Sequence, residues 1–134
     1  MDLESEIREL EAGPVLDALC ATALGATPYF IDGLCHIPAC DCWQDETAPF
    51  CVSRSWSAAG PALEWLAARD TYRCKHLGRE DGGNWYCWLR CSGFEMGTYA
   101  ADTAPLAIAR AVCLVGIRER PDEMRAAWEA LEGE

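Results

Sequence analysis

Apolar residues recur with helical spacing toward both ends of the chain and with strand spacing in between. Leu3, Ile7 and Leu10 fall on one side of a short acidic helix that stops at Gly13-Pro14. Pro14 opens a second helix carrying Val15, Leu16, Leu19 and Cys20, closed by Gly25. Residues 26–52 follow neither period. They are rich in Pro, Gly, Asp and Cys and longer than an ordinary connection, so they are expected to be functional or held by something. Ser53 or Ser55 then caps a helix in which Trp56, Ala59, Leu63 and Leu66 repeat. Pro61 lies inside that repeat and lacks an N–H, so the helix is expected to kink there or to begin there.

From Thr71 the period changes to two. Tyr72, Cys74 and His76 alternate with Arg73 and Lys75, the mark of a strand with one wet face. Gly78 to Gly83 reads as a hairpin loop; its likeness to a phosphate loop fails for want of the Lys-Ser/Thr ending and a following helix. Asn84 to Ser92 forms the partner strand, with Trp85, Cys87, Leu89 and Cys91 on one side and Tyr86, Trp88 and Arg90 on the other. Apolar residues on both sides predict a central strand covered on both faces. Phe94 to Ala100 supplies a third strand.

Asp102 or Thr103 caps the next helix, and Pro105 lacks an N–H that would go unpaired in a first turn. Leu106 to Ile117 is apolar on nearly every face except Arg110, as expected of a buried helix. Arg120-Pro121-Asp122 breaks the chain before a last amphipathic helix with Met124, Ala127, Trp128 and Leu131 on one stripe. A helix of that length is marginal alone, so the stripe either folds back on the domain or meets another copy. The pattern predicts an α+β fold, a small antiparallel sheet of two or three strands with helices packed on it. It also predicts a homo-oligomer joined through Met124, Trp128 and Leu131.

The 134 residues fit one domain, with 32–52 as a Cys-rich loop insertion and 120–134 as the terminal helix. Hydrophobic content of 51% with six tryptophans argues against disorder. Only 11 Lys and Arg oppose 22 Asp and Glu, which excludes a general nucleic-acid binder because phosphate recognition needs a cationic face. The acidic surface instead suits a basic groove on a protein partner. No stretch is long and apolar enough to span a bilayer, and Met-Asp-Leu-Glu-Ser-Glu is acidic where a secretory signal is basic, so a cytoplasmic protein is expected. Nine cysteines there are mostly thiols, and the odd count sits badly with a complete disulfide framework.

No cofactor is expected from the overall pattern, but one set of ligands allows a structural zinc. Cys35, His36, Cys40, Cys42 and Cys51 are soft ligands close enough in sequence to surround a tetrahedral ion and hold the long loop, although none forms a Cys-x-x-Cys pair. A second grouping, Cys74, His76, Cys87 and Cys91, lies on paired strands and would converge on one face, though a period of two is also that of core residues. A cysteine nucleophile would need His36 or His76 as its base, and adjacent Cys35 and His36 do not naturally meet. Aromatic and cationic residues are the candidates for ligand binding. Trp43, Trp56, Tyr86 and Trp88 with Arg54, Arg73 and Arg90 are the planes and guanidinium groups that stack a base and pair its phosphates.

Three blocks resemble the phage ABA sandwich domain, a family of small bacteriophage and prophage proteins. Ala12-Gly13-Pro14-Val15-Leu16-Asp17-Ala18-Leu19 is similar to the family's opening helix. Ser53 through Leu66 is similar to its second block, with Ser53-Arg54-Ser55 in place of the usual cap and Gly60-Pro61 interrupting a run that is normally smooth. Ala101-Asp102-Thr103-Ala104-Pro105-Leu106-Ala107-Ile108 matches the third. The resemblance spans roughly residues 10–118 and implies helices on both faces of a small antiparallel sheet. It implies phage origin and supplies no catalytic residues. The expectation is therefore a phage accessory protein, not an enzyme, acting by binding in the cytoplasm of an infected bacterium. It would blunt a defence by inhibiting a host immune protein, as anti-CRISPR proteins do, or by sequestering a nucleotide immune signal. The alternatives are a Cys- or metal-dependent hydrolase or transferase and a zinc-stabilised structural module.

Overall fold

A computed structural model of the chain describes residues 3–39, 43, 48–69, 74–79, 83–91 and 94–132. The elements run α1 (Leu3–Glu9), α2 (Pro14–Ala23), β1 (Tyr29–Ile31), β2 (Leu34–His36), α3 (Trp56–Ala67), β3 (Cys74–Arg79), β4 (Trp85–Cys91), β5 (Phe94–Ala101), α4 (Ala104–Glu119) and α5 (Pro121–Glu132). The class is α+β. Two antiparallel sheets form, a hairpin of β1 and β2 and a three-stranded sheet in the order β3-β4-β5 with β4 central.

The longest helix organises the rest. Thr103 caps α4, its hydroxyl oxygen accepting from Leu106 N–H at 3.3 Å, and every residue from Ala104 to Gly116 is buried. Arg110 is among them, 7% exposed. Its Nε and Nη2 donate to the carbonyl of Leu10 at 3.0 and 2.6 Å, so the one charge between Ala104 and Gly116 satisfies an acceptor left where α1 ends. Cys87 and Leu89 of β4 and Ala101 of β5 are buried in the same core cluster as α4, and this face makes the sheet's extensive helix contact. On its other sides α4 meets α1, α2, α3 and α5. The middle layer is therefore α4, with the sheet on one side and the remaining helices on the other.

Close approach of α4 to α2 and α5 depends on Gly116. A Cβ there would meet Ala23 Cβ at 2.5 Å and Met124 Sδ at 3.1 Å. Gly25 ends α2 with a left-handed φ of 90°; its N–H donates to Thr22 O and that of Ala26 to Ala21 O, the paired bonds of a Schellman motif.

Two segments bear on alternatives that the sequence leaves open. The α3 helix starts at Trp56 under a Ser55 cap and runs through Pro61, so of the two alternatives it does not begin at the proline. Met124 is completely buried in its own chain, and Trp128 and Leu131 pack half-buried on the same core. The α5 stripe folds back on α2 and α4, one of the two arrangements its apolar face allowed.

Candidate functional site

The segment read from sequence as lacking strand period contains the β1–β2 hairpin. Asp32 and Gly33 both adopt positive φ, 53° and 78°, which is the two-residue turn that matches strand twist. Tyr29, Phe30 and Ile31 pair with His36, Cys35 and Leu34. The two strands differ sharply in environment. Cys35, His36 and the following Ile37 are buried, whereas Tyr29, Phe30 and Ile31 are 36%, 43% and 49% exposed. The Tyr29 ring stacks on His36 at 5.7 Å, so the imidazole supports the strand from beneath. Among the described residues no strand pairs with the far side of β1.

Phe30 also lines a groove of about 230 Å³ together with Pro28, Ala18 and Thr22 of α2, and Ala127, Ala130 and Leu131 of α5. Nearly all of that lining is apolar. Three consecutive large apolar side chains on an edge strand, beside an apolar groove, form a contact surface rather than core. The sequence signal was present in Asp-Gly between Tyr-Phe-Ile and Leu-Cys-His, but strands of three residues are too short to show alternation.

A second surface lies on the sheet face opposite Cys87 and Leu89. His76 pairs with Trp88 in register, Gly78 pairs with Tyr86, and Arg90 follows along β4. His76 Nε2 and Tyr86 Oη are 3.1 Å apart. A Cβ on Gly78 would strike the Tyr86 ring at 2.6 Å, so only glycine lets that ring lie across the neighbouring strand. Tyr86 and Trp88 are half-buried and Arg90 is exposed. Because His76 lies on this face and Cys87 on the other, Cys74, His76, Cys87 and Cys91 do not converge as a group.

The remaining aromatic and cationic candidates are dispersed. Trp43 packs edge-on against Phe50 at 5.4 Å, with its Nε1 buried and without a hydrogen-bond partner. Trp56, 54% exposed, opens α3. Arg54 Nη2 lies 3.6 Å from Asp17 Oδ2 and donates to Cys51 Sγ at 3.5 Å. Arg73 lies outside the described residues. Among the described candidates, Tyr86, Trp88 and Arg90 share the sheet face, while Trp43 engages Phe50 and Arg54 engages Asp17.

Of the zinc candidates, Cys40 and Cys42 fall outside the described residues. Cys35 and His36 are successive residues of a strand and project to opposite sides of the hairpin, so they do not ligate one ion together. Among the described residues no three His, Cys, Asp or Glu side chains come together as metal ligands.

Beneath Arg54 sits a fully buried carboxylate. Asp17 Oδ1 accepts from Ser53 N–H at 2.8 Å and Ser53 Oγ–H at 2.6 Å, fastening α2 to the start of the α3 region. Desolvation raises its pKa above the ordinary 3.8, opposed by the Ser53 bonds and the Arg54 charge. Just before α2, Glu9, Glu11, Asp102 and Thr103 line an acidic cleft of about 510 Å³ whose wall includes Arg110. Burial lowers the Arg110 pKa, while Asp102 and Glu11 oppose the shift. No protein-family model matches the chain, and neither curated proteins nor solved structures give a match.

Proposed function

We propose that this chain is a phage accessory protein that acts by binding, and that it inhibits a host defence protein docked on the β1 strand and the groove between β1, α2 and α5. One observation carries the reading: Tyr29, Phe30 and Ile31 are consecutive, large, apolar and exposed on a strand edge with which no described strand pairs. A partner that adds its own strand there gains main-chain hydrogen bonds from the edge and apolar contact from the groove. The formal charge of −11 favours a partner with a basic face, which speeds encounter and sets orientation. Phage origin rests on the resemblance of the Ala12–Leu19, Ser53–Leu66 and Ala101–Ile108 blocks, and counter-defence on what small phage accessory proteins commonly do.

Sequestration of a nucleotide signal has weaker support, because among the described residues Trp43 engages Phe50 and Arg54 engages Asp17, while Tyr86, Trp88 and Arg90 share a sheet face. The test is affinity capture from lysate of the bacterial host, followed by identification of the retained polypeptide. Replacing Phe30 and Ile31 with Asp removes two apolar anchors and is expected to weaken the complex roughly a hundredfold with circular dichroism unchanged. Trp88→Ala leaves it intact. A bound nucleotide lost from Trp88→Ala but kept by the hairpin variant would contradict the proposal.

A further inference from the structure

We infer, resting on the docking reading above, that the segment seated on β1 is an extended peptide with one large aromatic residue in the groove beside Phe30 and a lysine or arginine two residues away. Asp32 and Gly33 form a two-residue turn, so Ile31 and Leu34, which close it, exchange backbone hydrogen bonds. Bonded and non-bonded pairs alternate along an antiparallel ladder, which makes Tyr29 and His36 the next bonded pair. The N–H and C=O of Phe30 therefore point away from β2, toward the edge with which no described strand pairs. An incoming strand that bonds them sets one of its residues opposite Phe30, with the side chain on the same face. That face is the groove, since Phe30 lines it with Thr22 of α2 and Ala127, Ala130 and Leu131 of α5.

The groove and its rim select the chemistry. A space of about 230 Å³ accommodates an indole or phenyl ring, whereas a methyl-sized side chain leaves its apolar walls bare. The Thr22 hydroxyl donates to the Ala18 carbonyl at 3.1 Å, so a ring seated there does not strand it. The bordering elements are acidic. Asp32 follows β1 directly, and α5 carries exposed Asp122, Glu123 and Glu129 against a single arginine, Arg125. Glu129 adjoins Ala130 of the groove wall. Residues two apart on a strand share a face, so the positions two away from the ring fall beyond the groove, at this rim. A cation there matches the rim in charge.

Selection of random peptides on the immobilised full chain tests this without the host partner. Enriched peptides are expected to share one Trp or Phe with Lys or Arg two residues away. Replacing the ring with alanine should weaken binding roughly a hundredfold by fluorescence polarisation. Ala130→Trp fills the groove and should do the same with circular dichroism unchanged, and Ala130→Gln, a smaller change at this exposed helix position, should cost roughly tenfold. Glu129→Lys should weaken binding about fivefold at low salt and less at high salt. No enrichment, enriched peptides without an aromatic residue, or peptides that bind both Ala130 variants as tightly as the wild type overturn the inference. A host protein lost on replacing Phe30 and Ile31 but held by Ala130→Trp sinks the aromatic anchor alone and leaves the docking reading standing.

Discussion

Asp17 shows how one buried charge constrains this chain. Its side chain is fully buried; Oδ1 receives the Ser53 hydrogen bonds, while among the described residues Oδ2 receives none and faces Arg54 across 3.6 Å. Folding therefore favours the protonated acid, which is what a raised pKa means. The resulting stability is fully present below pH 3.8 and is lost as pH rises through the folded-state value. Asp17→Asn keeps an acceptor for Ser53 and removes the charge. Its stability relative to the wild type should rise with pH across that window, measured by urea unfolding at a series of pH values; parallel curves would refute the assignment. Asp17→Ala leaves Ser53 N–H and Oγ–H without their partner and should cost about 2–3 kcal/mol. Sequence placed Asp17 on α2 but offered no sign of this role, because Ser53 lies 36 residues away. The same holds for Arg110, visible as an odd charge in an apolar helix, whose acceptor at Leu10 only the tertiary fold supplies.

Elements were legible in proportion to their length. Sixteen residues of α4 carry a cap, an early proline and an unbroken apolar run, and all three signals agree. The β3–β4–β5 sheet was readable from alternation, which also put Tyr86, Trp88 and Arg90 together correctly. The β1–β2 hairpin was missed because each strand has three residues, leaving only its turn as evidence. Placing Trp43, Arg54 and Trp56 required knowing how loops cross the helices, which periodicity does not encode. Two glycines separate local propensity from packing. Gly60 has open space around a would-be Cβ, so Gly60→Ala in α3 should stabilise by about 0.5–1 kcal/mol. Gly116 in α4 meets Ala23 and Met124, so Gly116→Ala should destabilise by about 1–3 kcal/mol despite the better helix former. Denaturant titration of both variants checks the pair, and equal shifts of the same sign would mean that α2 and α4 do not meet as described.

Across the whole molecule, the packed and the unpacked apolar residues divide the labour. The buried set converges on α4, which holds the sheet and the helical layer together. Of the exposed large apolar residues, Tyr29, Phe30 and Ile31 are consecutive, on a hairpin whose other strand buries Cys35 and His36, while Val15 and Trp56 stand elsewhere. A rigid support under an exposed apolar edge is suited to recognition, since little conformational freedom is lost on docking. Hydrogen–deuterium exchange, comparing the chain alone with the chain in its captured host complex, tests this most directly. The account predicts slowed exchange at Tyr29–His36 and along Ala127–Leu131, with the Trp85–Cys91 strand unchanged. Protection confined to Trp85–Cys91, with the hairpin exchanging as fast as in the free chain, would contradict it.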